Sequence, residues 1–142
     1  MSVYLPEELR ARIAGADRNR CAFCQTSEAN SGLPLTIDHI QPKSHEGETI
    51  FENLCQACRT CNEFKGSLTE AIDPLSGEFA SLFNPRTQIW KEHFEWSADG
   101  THLQGLTSIG RATVVALQVN RPVIVAARSR WVSGGWHPPP IE

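Results

Sequence analysis

The residues of this chain that could do chemistry are concentrated between Cys21 and Gly66. The five cysteines all lie there: Cys21, Cys24, Cys55, Cys58 and Cys61. Cys21-Ala-Phe-Cys24 and Cys58-Arg-Thr-Cys61 are two C-x-x-C turns, each able to present two thiolates from a tight knuckle. Zinc takes four soft ligands in a tetrahedron, so two knuckles far apart in sequence can close a long loop around one ion. Iron in the same cage, redox-active thiols and buried free cysteines are the alternatives. Five thiols are one too many for a tetrahedron. Cys55 and Cys58 also have C-x-x-C spacing, so spacing alone leaves Cys55 and Cys61 competing for the fourth place. Asp38-His39 sits between the knuckles, Asn53 precedes the second, and Asn62 directly follows it. Read alone, Asp38-His39 is more often a structural pair at a strand end.

The elements that must position these groups are short. Pro6 opens a helix with Glu7 and Glu8 in its first turn, an order that suits the helix dipole. Leu5, Leu9 and Ile13 recur at helical spacing, and Gly15 marks the end. Leu33 to Ile40, bounded by Gly32 and Pro42, reads as a strand. Gly47 suggests a turn, with a second short strand near Glu48 to Phe51. Thr60 to Lys65 reads as a short helix stopped by Gly66. Downstream, IWKEHFEW and THLQGLT flank Ala98-Asp99-Gly100, a hairpin signal. Trp90, Phe94 and Trp96 would share one face of its first strand and pack inward. Ile109 to Val119 and Val123 to Trp131 read as helices split by Asn120-Arg121-Pro122, and SGGWHPPPIE reads as a frayed end.

At 142 residues the chain is expected to be one domain with its own core. Its net charge is -3, so bulk charge does not announce a polyanion binder. Arginines cluster at both ends, with Arg10, Arg12, Arg18 and Arg20 in one group and Arg111, Arg121, Arg128 and Arg130 in the other. Thr101 to Ile141 holds no acid. Two basic ends could grip a nucleic acid, although solvated helix faces explain them as well. No apolar run approaches the roughly 20 residues of a bilayer span. The start carries no secretory pattern, so a cytoplasmic protein is expected, where paired C-x-x-C motifs favour metal over disulfides.

The pattern D-H-I-x-P, then N-L, then C-x-x-C-N-x-x-K-G resembles the HNH endonucleases of the ββα-metal class, in the branch with a four-cysteine zinc site. The resemblance covers roughly Cys21 to Gly66. It implies an α+β fold: a ββα-metal core clamped by zinc on Cys21, Cys24, Cys58 and Cys61, with Cys55 the spare, a small buried hydrophobe. An N-terminal helix over 1–20 would flank the core at 21–66, and a β-hairpin with two helices would fill an extension over 67–142. SLFNPR, HFEW, SADGT and GLTSIGRATV resemble the extension found on many bacterial HNH proteins.

Carried over residue by residue, the resemblance puts His39 at the general base and Asp38 at a divalent-metal ligand. It puts Asn53 at the brace of the loop and Asn62 at the second metal ligand. Lys65 and Arg59 are candidate phosphate contacts. Oxygen ligands suit Mg²⁺ or Mn²⁺, separate from the structural Zn²⁺. The implied activity is hydrolysis of DNA phosphodiester bonds, double-stranded DNA being the expected partner. Successive strand residues face opposite sides, so the strand is expected to end or bend at Asp38-His39. His45, His93, His102 and His137 carry no comparable signal. The rival readings are a non-catalytic zinc module that binds nucleic acid or protein, and an iron cage.

Overall fold

The computed structural model describes residues 4–140 as helices and three small antiparallel sheets, an α+β arrangement. Helix α1, Glu7–Asp17, follows Pro6 and carries Glu7 and Glu8 in its first turn. It runs past Gly15 and stops where Arg18 turns left-handed. Leu5 and Ile13 are buried against Leu54, with Leu9, Ile37 and Phe51 packed around them. A knuckle turn at Cys21–Cys24 and the one-turn helix α2, Glu28–Ser31, come next. The Ser27 side chain caps α2 by accepting from the Asn30 N–H.

Strand β1, Thr36–His39, pairs antiparallel with β2, Leu54–Ala57, setting Asp38 opposite Cys55 and His39 opposite Leu54. The second strand therefore lies later than the expected Glu48 to Phe51, where a 3-10 turn, Phe51–Asn53, stands at the end of the loop. The reason is burial: all four β2 residues are buried, so the segment lacks the alternation that betrays a half-buried strand. Helix α3, Arg59–Lys65, starts one residue earlier than expected. Its N-cap is Cys58, whose sulfur accepts from the Cys61 N–H at 3.4 Å. It stops at Gly66, in a positive-φ conformation.

The extension opens with an unforeseen hairpin, β3 (Glu70–Ile72) and β4 (Phe79–Ser81). Its three-residue strands are too short to show a period. The expected second hairpin is present, but its first strand is shorter. Trp90 belongs to a helical turn, α4 (Trp90–His93), and only β5 (Phe94–Trp96) pairs with β6 (Leu103–Gly105). Trp90 still packs inward: its ring lies 5.2 Å from that of Phe94, and its indole N–H donates to the Phe23 carbonyl at 2.8 Å. Helices α5 (Ser108–Ala116) and α6 (Pro122–Gly134) follow, capped by Thr107 and ended by Gly135. The tail is not frayed as expected. His137 is buried, edge-on to Trp96 at 4.4 Å, with Nε2 3.0 Å from the Gly100 carbonyl. The last two residues of the tail lie outside the described residues.

One apolar cluster runs through both parts. Phe23, Ala57 and the knuckle cysteines share it with Leu82, Phe83, Phe94, Leu103, Leu117 and Val119. Polar ties reinforce it. Arg86 grips the Asp17 carboxylate with two bonds at 2.8 and 2.9 Å, while Asp17 also accepts from the Gln56 N–H. Arg111 holds buried Asp73 in the same two-pronged way.

Candidate functional site

Cys21, Cys24, Cys58 and Cys61 converge, with all four sulfurs within 4.8 Å of one another and all four residues buried. The 3.8 Å between the Cys24 and Cys58 sulfurs equals the edge, about 3.8 Å, of a tetrahedron built on a zinc–sulfur bond of about 2.3 Å. The loops enforce this. The first knuckle places the Cys24 N–H 3.5 Å from the Cys21 sulfur, and the second does the same between Cys61 and Cys58 at 3.4 Å. Neighbouring sulfurs pull Cys24 well below the ordinary thiol value, while burial holds Cys21 well above it. The four sulfurs are thus positioned to hold a metal ion. Cys55 stands outside it, buried on β2 with its sulfur 4.0 Å from Asp38 Oδ2.

The second site lies further along α3, at Asn62 and Lys65. Thr36 and Asp38 share the β1 face that α3 covers. Asn62 Nδ2 donates to Thr36 Oγ1 at 2.8 Å, and Lys65 Nζ sits 3.0 Å from Asp38 Oδ2. His39, one residue on, points to the opposite face, where Nε2 lies 2.9 Å from Thr49 Oγ1. β1 ends at His39, and the chain bends at Ile40-Gln41 before a 3-10 turn, Lys43–His45. Asp38, His39 and Asn62 nonetheless line one cleft of about 470 Å³, with Thr36, Arg10 and Lys43 in its walls.

Asn53 is not in that lining; it stands behind it. Its Oδ1 accepts from the Gln41 N–H at 2.7 Å, and its Nδ2 donates to the Gln41 and Glu48 carbonyls at 3.0 and 2.8 Å. One amide thus closes both ends of the 41–48 loop beside His39. Gly47 lets this happen: a Cβ there would lie 1.7 Å from the Gln41 carbonyl oxygen and 2.9 Å from Asn53 Nδ2.

Lys65 requires a correction. It is 1 % exposed, and its ammonium points inward to the Asp38 carboxylate and to the His39 and Ile40 carbonyls at 3.0 and 3.1 Å. It is the internal counter-ion of Asp38, not a phosphate contact. Burial raises the Asp38 pKa, against the lowering effect of Lys65. Burial lowers the His39 pKa, and Lys43 and Lys65 lower it further. Arg59 is exposed at the start of α3. His45 and His102 are exposed, and His93 is half-buried with Nδ1 2.6 Å from Thr107 Oγ1. Thr36 and Thr49 escaped the sequence reading, and Gly47 was read there only as a turn, without its close approach to Gln41 and Asn53. The two threonines carry no signal before the fold is known.

The HNH endonuclease family model matches residues 21–68. It takes in both cysteine knuckles and the whole Asp38–Asn62 arrangement. No curated protein and no solved structure matches the chain.

Proposed function

We propose that the protein is a divalent-metal-dependent endonuclease that hydrolyses phosphodiester bonds of double-stranded DNA, with zinc on the four cysteines as a structural ion. The observation that carries this reading is the half-buried His39, its pKa lowered, opening onto the same cleft as Asp38 and Asn62. A histidine kept neutral at cellular pH is a competent base. With Nε2–H donating to Thr49 Oγ1, the lone pair of Nδ1 is left to take the proton of an attacking water. Thr49 is then the positioning residue of the base, and Asn53 holds the loop that carries Thr49 in place.

The hard ion would bind Asp38 and Asn62. The donor set fits: the Asn62 amide gives its N–H to Thr36, which leaves Oδ1 as an oxygen donor. Asp38 is the one carboxylate, and Lys65 already balances its charge. Mg²⁺ or Mn²⁺ bound through so few protein oxygens keeps several waters and takes up substrate phosphate. When bound, such an ion supplies charge neutralisation at the phosphate and the leaving oxygen. Arg10 and Lys43 in the cleft walls supply positive potential for the flanking backbone, against a chain of net charge -3.

On the same reading, residues 1–142 work as one folding unit, supported by the cluster shared between core and extension. Among the described residues no helix is long and apolar enough to cross a membrane, which agrees with a cytoplasmic role. The pairing of Asp38 with Lys65 is the one observation that favours a non-catalytic zinc module instead. A plasmid-cleavage assay with Mg²⁺ or Mn²⁺ separates the two. Wild type should nick or cut, and His39→Ala should lose about 10²- to 10⁴-fold, the share of a general base. Clean wild-type protein that cuts under no divalent ion, or a His39→Ala variant as fast as wild type, sinks the nuclease reading.

A further inference from the structure

We propose that Arg128 is the internal counter-charge of the four-cysteine metal centre, so that α6 helps to stabilise the bound metal. Arg128 is 0 % exposed and the largest fully buried side chain among the described residues. Its Nη1 donates to the Thr101 carbonyl at 3.0 Å and to Asn120 Oδ1 at 3.2 Å, while Nε and Nη2 have no hydrogen-bond partner. Among the described residues Arg128 has no carboxylate in salt-bridge range. Its guanidinium lies over the Trp96 ring at 5.1 Å.

A guanidinium does not deprotonate inside a protein. A buried charge with no partner costs several kcal/mol by order of magnitude, so a fold that keeps one has a compensating charge nearby. Trp96, the ring under this guanidinium, packs against the cluster that holds Cys21, Cys24, Cys58 and Cys61, and the Cys24, Cys61 and Cys58 sulfurs favour the charged guanidinium against its burial and the nearby Arg121. Four thiolates around one divalent cation leave a net charge of two minus, itself buried and in need of compensation. A ring face on one side adds a cation–π attraction. Each site therefore removes the other's electrostatic penalty.

This inference rests on the reading of the cluster as a zinc site, and the experiment separates the two. Zinc-saturated full-length wild type, Arg128→Gln and Arg128→Lys are challenged with a colorimetric chelator. Zinc content is measured before, and far-UV circular dichroism at the assay temperature. Gln keeps a donor for the Thr101 carbonyl but no charge; Lys keeps the charge. The expected result is zinc affinity about tenfold or more weaker for Arg128→Gln, the usual scale for a group behind the ligands. Arg128→Lys should stay within about threefold of wild type, a small part of that scale. A Gln variant that holds zinc like wild type overturns the proposal alone. So do Gln and Lys variants that fail alike, in folding or in zinc retention. Wild type that folds without zinc overturns the metal reading and this inference with it.

Discussion

Replacing Lys65 by methionine tests whether this lysine faces inward. The side chains of Lys65 and Asp38 are 1 % and 5 % exposed, and the ammonium lies 3.0 and 3.3 Å from the two carboxylate oxygens. Methionine fills nearly the same volume, so the effect is electrostatic rather than a cavity. Removing one partner of a buried pair leaves the other uncompensated, at about 3–5 kcal/mol. The His39 and Ile40 carbonyls lose a donor as well, at about 1 kcal/mol each. Against a total stability of about 5–15 kcal/mol for a domain, Lys65→Met should sit near the edge of folding. The assay is urea unfolding of zinc-saturated protein, followed by tryptophan fluorescence, with the slope checked for constancy.

Two controls identify the cause. Asp38→Asn in the Lys65→Met background removes the stranded charge, so the double variant should regain a few kcal/mol, a coupling that only a direct pair produces. Acidification is the second. Burial already raises the Asp38 pKa, and losing Lys65 removes a lowering influence. A carboxyl whose folded pKa lies above its unfolded value opposes folding at high pH and stops doing so as pH falls through the folded value. The gap between Lys65→Met and wild type should therefore be widest near neutrality and narrow toward acid. A variant within about 1 kcal/mol of wild type, well short of the cost of a broken buried pair, but weaker on DNA, would refute the inward assignment and restore the phosphate contact.

Other outcomes follow from the same geometry. Cys55→Ala should keep one zinc per chain by elemental analysis, whereas Cys58→Ala and Cys61→Ala should lose it. Gly47→Ala places a methyl on the Gln41 carbonyl; it should destabilise by about 1–3 kcal/mol, as overpacking does, and cut more slowly, read by thermal melting beside the plasmid assay. The acid limb of the cleavage rate should fall below the ordinary histidine value, because His39 is shifted down. Lys43→Ala should move that limb upward, and an unmoved limb means His39 is not the titrating base. These last two readings need active wild type.

The parts of the fold legible in the sequence were those with a local rule. C-x-x-C spacing announces a knuckle, and Pro6, Gly66 and Pro122 punctuate helices wherever they fall. β2 was missed because LCQA is buried throughout and so has no period, and because its cysteine reads as a ligand candidate. The β3–β4 hairpin was missed because three residues carry no pattern. Within the site, the cysteines could be paired by spacing and resemblance. Lys65 was misjudged for a different reason. A lysine near a short helix end is normally solvated, and its burial follows only from the register that sets Asp38 under the last turn of α3. His137 was misjudged likewise, since glycines and prolines around it look like a loose tail until Trp96 is in place to receive it.

Helix α3 shows why the two centres are not independent. It has seven residues, about two turns, which is far below the length at which an isolated helix holds in water. Its start is fixed by Cys58, both N-cap and knuckle ligand, and by Cys61 in its first turn. Its end is fixed by Lys65, anchored to Asp38 and to the two carbonyls where β1 ends. Asn62 lies between these anchors, directly after one knuckle cysteine and three residues before the lysine. With the sulfur cluster empty, the first anchor is four thiols in mutual contact with no charge to bind them, and the N-terminal turn is free to open. The Asn62 amide then loses its fixed angle to Thr36, while His39, held by Thr49 and the Asn53-closed loop, keeps its place. On the proposed reading, metal loss at the cysteines should therefore displace Asn62 first, leaving the proposed base His39 in place beside a displaced ligand.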